Sequence, residues 1–185
     1  MTEKFPHGHG VYFAREAYAG LGRRIAIVLI DLVVLLLGSL VVTALFVIFI
    51  SDDIEQSERK YLGALVGWCW VYLVIIEAIW GTVGFWLTSV RIIDRLGKRV
   101  SIFRMTFRFL LLLFWPVYLL IDLCWAGGEE SRQTLRDKFC GTYVIRKDAQ
   151  PVGKGPIRVR FYAAFSWFVP LTEIQRNNQP DSLTT

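Results

Sequence analysis

The feature that most constrains this chain is the run from Ile25 to Ile50, which carries a single charge, Asp31, and follows directly on Arg23 and Arg24. About 20 consecutive apolar residues are what a helix needs to cross the hydrocarbon core of a bilayer. The run is too long for a signal-peptide core and no small-residue cleavage site follows it, so it reads as a retained first helix. A second run, Tyr61 to Trp80, has Glu77 as its only charge and ends at Gly81. A third, "FRFLLLLFWPVYLLIDLCWAG", extends from Phe107 to Gly127, carries Arg108 and Asp122, and has Pro116 at its middle. Spans are thus expected at about 25–50, 61–80 and 107–127. The 54% hydrophobic content agrees, since soluble domains average about 45–50% even with glycine counted.

The formal charge of +5 fits either nucleic acid or an anionic membrane surface. Beside such apolar runs it points to the bilayer as partner, with no nucleic acid. Short loops rich in Lys and Arg stay cytoplasmic. The stretch before the first run is basic, the link "SDDIEQSERK" is acidic, and "RIIDRLGKR" is basic again. The N-terminus and the "RIIDRLGKR" loop are therefore expected in the cytoplasm, the acidic link outside. A plain third crossing would export the most basic part of the chain. Proline breaks or kinks a helix, and a hairpin that enters and leaves on one face is allowed where protein shields its backbone. The charge pattern favours that re-entrant form over a full crossing. Two cytoplasmic segments, "SVRII" and "TYVIR", are β-branched and follow turn signals, so they read as short strands able to pair. Gly141-Thr142 before the second echoes Gly81-Thr82 before the first. The fold class expected is mostly α: a polytopic helical membrane protein with two transmembrane helices, a proline-broken third element and a small cytoplasmic strand pair.

Three blocks, "YAGLGRRIAIVLID", "GTVGFWLTSVRIIDRLGKRVS" and "RQTLRDKFCGTYVIRKD", occur in that order. Together they resemble the RDD family of integral membrane proteins, over roughly Tyr18 to Asp148. The family's arginine and two aspartates match Arg24, Asp31 and Asp137. Phe85 stands where the family often has a basic residue, and Arg136 where histidine is common. The resemblance implies a plasma-membrane protein and transport of an unidentified small solute or ion. Residues 1–17 then form an N-terminal arm, 18–148 the membrane domain, and 149–185 a basic, aromatic tail.

Arg24 and Asp31 are seven residues apart, so they share a helix face about 10 Å apart along the axis. A carboxylate below the interface needs compensation, and two forms of it are open. In the transport reading Asp31, with Glu77 or Asp122, lines a polar cavity and exchanges protons with a cation. In the structural reading Arg24, Asp31, Arg108 and Asp137 form a charge network that fastens the fold of a scaffold or partner-binding subunit. Two spans and a broken third enclose too little for a pathway in one subunit, so transport implies a homo-oligomer. Gly63 and Gly67 offer a small-xxx-small face for it, with packing inside the chain as the alternative.

No Ser-His-Asp set, zinc spacing or phosphate loop is present, which argues against an enzyme, a metal or a cofactor. Cys69, Cys124 and Cys140 lack metal or redox spacing and read as packing residues or free thiols. His7 and His9, on a glycine-rich terminus, read as disordered. In the tail, "PIRVRFYAAFSWFVP" is too short to span and reads as an interfacial segment, or else a site for a cytosolic partner. Arg158 and Arg160 would share a strand face. "QRNNQPDSLTT" reads as disordered.

Overall fold

The computed structural model of the chain describes residues 8–49, 54–114, 125, 131–164 and 167–174. Strand β1 (His9–Phe13) and a 3-10 turn (Arg15–Ala17) lead into helix α1 (Leu21–Phe49). The next helix joins three pieces end to end: α2 (Ile54–Trp70), a π-helical segment (Val71–Ile76) and α3 (Glu77–Ile79). Then come α4 (Val83–Leu87), β2 (Val90–Asp94), α5 (Ile102–Phe114) and α6 (Leu135–Cys140). Strands β3 (Thr142–Arg146), β4 (Pro151–Ala164) and β5 (Trp167–Ile174) complete it.

Helix α1 has 29 residues, about 43 Å at 1.5 Å per residue. Its burial is inverted relative to a soluble helix, which hides an apolar stripe and shows its charges. The buried positions of α1 are Arg24, Ile27 and Asp31, whereas Leu29, Val33, Leu36, Leu37 and Leu40 are exposed. Leu21–Phe49 and Ser57–Leu87 are both long and apolar enough to cross a membrane. Each starts a few residues before the apolar run that marks it in the sequence. The two helices are antiparallel: Asp31 meets Tyr72, Leu35 meets Trp68, and Thr43 meets Tyr61.

The close approach of the pair is at Gly38, where a Cβ would collide with the Trp68 ring. Gly63 and Gly67, by contrast, have nothing among the described residues within 4 Å of where a Cβ would stand. The second helix ends at Gly81, whose positive φ of 83° suits a residue without a side chain. Its N–H donates to the Ile76 carbonyl at 2.9 Å.

Strands β2 and β3 pair antiparallel, Val90 opposite Arg146 through Asp94 opposite Thr142. The two strands expected from "SVRII" and "TYVIR" therefore form and find each other. Alternation of side chains gives this ribbon two apolar faces. Val90, Ile92 and Val144 pack with Ile27, Val74, Phe85, Met105 and Phe109 of the helices. Ile93, Tyr143 and Ile145 pack on the other side with Phe13 and Tyr18 of the arm. The ribbon is held to the start of α1 by the Ala19 N–H, which donates to the Val144 carbonyl at 2.9 Å.

The arm and the tail, set apart in the sequence reading, pair with one another: β1 runs antiparallel to the start of β4, His9 opposite Pro156. His9 accordingly sits in a strand and not in a disordered terminus; His7 lies outside the described residues. The rest of β4 pairs with β5 as a hairpin, Ile157 opposite Ile174 through Ala164 opposite Trp167. In this hairpin Arg158 stands opposite Glu173 and Arg160 opposite Leu171 in the backbone register. The "QRNNQPDSLTT" segment, and most of the third apolar run including Pro116, Asp122 and Cys124, lie outside the described residues.

The helix packing yields a prediction. Gly38→Val should force α1 and α2 apart and cost about 1–3 kcal/mol, the usual range for overpacking. Gly63→Val should leave the monomer's stability within about 0.5 kcal/mol of the original, because it fills open space. Thermal unfolding of the purified variants in detergent checks both.

Candidate functional site

Asp137 is fully buried, with 0% of its surface exposed. It lies at the third position of α6, whose N-cap is Thr134. The Thr134 hydroxyl accepts from the Asp137 N–H at 3.1 Å, and the Thr134 N–H donates to Asp137 Oδ2 at 3.2 Å. This reciprocal capping box fixes the carboxylate's direction. Oδ2 also accepts from Arg24 Nη1 at 2.8 Å, and Oδ1 accepts from Arg108 Nη1 at 2.5 Å and from the Thr142 hydroxyl at 3.3 Å. Arg24 further donates through Nη2 to the Arg132 carbonyl at 2.7 Å and through Nε to the Ala19 carbonyl at 3.3 Å. One carboxylate thus joins the start of α1, the middle of α5, the start of α6 and the start of β3. Arg108 and the Arg132 carbonyl both belong to this cluster.

Burial on its own would raise the Asp137 carboxyl. Arg108 and Arg24 outweigh it and, with the Thr134 N–H and Arg136, hold it well below the usual carboxylate range.

Asp31 belongs to a second cluster. Its Oδ1 accepts from the Tyr72 hydroxyl at 2.8 Å and the Gly84 N–H at 2.9 Å, and its Oδ2 from the Thr82 hydroxyl at 2.7 Å. Tyr72 in turn accepts from the Val83 N–H at 3.2 Å. The carboxylate therefore rests on the first turn of α4, where free N–H groups favour negative charge. Gly84 permits this: a Cβ there would lie 2.8 Å from the Ile27 carbonyl and 2.9 Å from each Asp31 oxygen.

The heptad spacing of Arg24 and Asp31 does put both on the buried face of α1, but the two side chains do not pair. Arg24 and Asp137 come together, Arg108 joins them, and Asp31 stands apart among neutral donors. Glu77 is half-buried and accepts no hydrogen bond from any described residue. It faces a cavity of about 210 Å³ that Asp31, Arg24, Arg108 and Arg136 also line, with apolar walls from Ile27, Leu32, Leu73, Phe85 and Leu112. Phe85 is buried in the core, so an apolar ring occupies the place where the resemblance leads one to expect a basic group. Asp122 lies outside the described residues. Among those described, no group of three or more His, Cys, Asp or Glu side chains comes within ligating reach of a common point. Cys69 is a free thiol, and Cys140 is buried.

Sequence reasoning passed over Thr134, Thr82, Tyr72 and Thr142. Thr134 was legible, since T-x-x-D before a short helix is a capping-box pattern. The repeated Gly-Thr pair was visible too, but not its purpose: in each pair the glycine has positive φ and the threonine hydroxyl donates to one of the two aspartates. Nothing in the sequence singled out Tyr72.

Asp137→Asn should leave two buried guanidinium groups short of a counter-charge and destabilise the fold by about 3–5 kcal/mol, the typical cost of breaking a buried pair. The pH dependence follows from the direction of the shift. A depressed carboxyl contributes its stability in full above the unfolded value, about 4, and loses it as pH falls towards the folded value. The stability gap between the original chain and Asp137→Asn should therefore be constant above about pH 5 and narrow below pH 4. Unfolding midpoints measured across that range decide it.

Residues 18–141 match the family model described as RDD family. No match was found among curated proteins or among solved structures. With the arginine, the two aspartates and both long apolar helices inside the matched region, the chain belongs to the RDD family.

Proposed function

We propose that this chain is an integral plasma-membrane protein in which Arg24, Asp31, Arg108 and Asp137 hold the fold, and in which the cavity at Glu77 handles a small solute or ion. The observation that carries this reading is the contrast in hydrogen bonding. Asp137 accepts from four donors and Asp31 from three, all belonging to the chain itself. A carboxylate whose oxygens are already taken by the chain's own donors is poorly placed to bind a cation. Glu77 faces the cavity without such bonds, at the level of the arginines.

Support for the membrane placement comes from the exposed apolar surfaces of both long helices and from the position of the basic segments. The arm, the "RIIDRLGKR" loop and the β2–β3 ribbon all sit at the Arg24 end of α1, which the basic-loop rule assigns to the cytoplasm. The same rule, applied to the basic segments on either side of the third apolar run, favours a re-entrant third element over a full crossing; most of that run lies outside the described residues. Trp80 and Trp86 are exposed near that end, and the Lys147 ammonium lies 5.4 Å from the Trp86 ring centre, as suits a membrane–water boundary. The small-residue face at Gly63 and Gly67 is compatible with a homo-oligomer, which transport by so few helices requires.

A second reading is favoured by the same saturation of Asp31 and Asp137: a membrane scaffold whose charges are structural throughout. Flux in proteoliposomes under imposed sodium, potassium and proton gradients separates the two. For the transporter, Glu77→Gln should fold as the original does and lose at least about tenfold in flux, a loss of some 1.4 kcal/mol in the rate-limiting step. Asp31→Asn should lose stability, whatever its flux. Flux that is unchanged in Glu77→Gln removes the cavity from the pathway, and no flux from the folded original chain supports the scaffold.

A further inference from the structure

Helix α4 has two sides with opposite surroundings. Its inward side carries Gly84 and Phe85, both buried, and the Gly84 N–H donates to Asp31. Its outward side carries Val83, Trp86 and Leu87, all exposed. With Ile79 and Trp80 at the end of the preceding helix they form one apolar patch across the break at Gly81, where Trp86 Cδ1 stands 3.6 Å from the place of a Cβ. Trp80, Trp86 and Leu87 are 67%, 59% and 70% exposed.

The centre of the patch is fixed. Trp86 Nε1 donates to the Trp80 carbonyl at 2.6 Å, so the indole spends its one donor within the chain and offers only its ring to the outside. Two cations are placed at the border by contacts of their own. The Lys147 ammonium lies 5.4 Å from the Trp86 ring centre, and the Lys147 N–H donates to the Ser89 carbonyl at 2.9 Å. Arg99 Nη1 donates to the Ile79 carbonyl at 3.2 Å, one peptide unit before the carbonyl that holds Trp86. Both side chains are exposed. Asp148, next to Lys147 in sequence, is taken up by Arg146 at 3.1 and 2.9 Å.

An occupant has to match bare rings and aliphatic side chains bordered by cations. The patch closes the segment Ser57–Leu87, which is long and apolar enough to cross a membrane, so it continues a lipid-facing surface to the point where the basic segments begin. Tryptophan is the residue of that depth, where the ring meets the acyl boundary. Lysine and arginine beside it are drawn to anionic headgroups.

We infer that the outward side of α4 is a docking surface for anionic phospholipid of the cytoplasmic leaflet, with the Trp80 and Trp86 rings at the acyl boundary and Lys147 and Arg99 on the phosphates. This rests on the reading of the chain as a membrane protein. Gly84 and Trp86 belong to the same short helix, so lipid bound outside steadies the donors that hold Asp31 inside. Phe85 between them is a wall of the Glu77 cavity. The charge of the leaflet thereby acts on the cavity.

The test uses the full chain in lipid nanodiscs, comparing phosphatidylcholine alone with mixtures containing phosphatidylglycerol. The readouts are hydrogen exchange of the Val83–Leu87 amides and the phosphatidylglycerol retained in native mass spectrometry. Phosphatidylglycerol should slow the exchange about threefold or more, the effect of a ligand at about twice its dissociation constant or above. Lys147→Gln should weaken retention about fivefold, the worth of one cation at an anionic surface, and remove most of the slowing. Arg99→Gln should do the same through a separate contact. Lys154→Gln removes an equal charge from β4, where it stands opposite Val11 of the arm. It should weaken retention less than about twofold, because charge outside the contact is screened. Equal losses in Lys147→Gln and Lys154→Gln, or exchange that ignores phosphatidylglycerol, overturn the inference. Slowing that follows protein concentration in phosphatidylcholine alone overturns it in favour of a second copy on this face. Equal slowing by millimolar inorganic phosphate overturns the lipid as the source. Alkaline extraction of membranes tests the underlying reading separately. A chain that resists extraction but ignores phosphatidylglycerol fails this inference alone, whereas one that washes off fails the membrane reading.

Discussion

The described architecture depends on a carboxylate, Asp137, buried between two arginines. Taking three charges out of water is costly, and the attraction among them repays that only where the geometry is good and the remaining lone pairs are used. Both conditions are met. Each Asp137 oxygen accepts one guanidinium and one further donor, the Thr134 N–H or the Thr142 hydroxyl. The donors come from segments more than a hundred residues apart in sequence, so the cluster can form only when α1, α5, α6 and β3 are all in register. In a bilayer, apolar contacts between helices supply little preference for one arrangement, because lipid tails are as apolar as the side chains. A charge cluster with a fixed number of partners supplies it.

The Asp31 cluster solves a related problem by other means. Here a single carboxylate, two helical turns past Arg24, is matched by neutral donors: one phenol, one hydroxyl and one backbone N–H. Those donors are organised by the break at Gly81, which ends one helix and lets Thr82 cap the next. The same Gly-Thr device recurs at Gly141 and Thr142, where it ends α6 and brings a hydroxyl to Asp137. Each signature aspartate is thus served by a helix break, and each break depends on a glycine in a conformation that other residues rarely adopt.

How far all this was legible in the sequence varies with the range of the interaction. The apolar runs and the β2–β3 strands carry local signals, and they appear close to where periodicity and turn residues place them. The spacing of Arg24 and Asp31 correctly gave a shared face, but a shared face does not choose partners. Arg24 is taken by Asp137, 113 positions away, and no local pattern encodes that choice. Small residues show the same limit. Among the described residues nothing stands near a Cβ at Gly63 or Gly67, which form the recognisable motif, while Gly38, in no motif at all, admits the Trp68 ring because of what stands opposite it. The pairing of β1 with β4 is long-range as well, and the alternation that would have marked β1 is too short to separate from a loop.

The π-helical segment Val71–Ile76 links the two parts of the site. In an α-helix, residues five apart point about 140° away from each other, at 100° per residue. Tyr72 and Glu77 are five apart, so an unbroken α-helix that aimed Tyr72 at Asp31 would turn Glu77 away from α1. A π-helical turn bonds each residue to the one five positions on and so brings such pairs nearly into line. In the observed helix Tyr72 donates to Asp31 while Glu77 lines the same cavity as Asp31. The wider turn is a rare conformation with a cost of its own, and the Tyr72–Asp31 bond ties its second residue to α1. The cavity that contains Glu77 is therefore a consequence of the Asp31 cluster. An aspartate whose oxygens are taken up by neutral donors can still decide where a second carboxylate points.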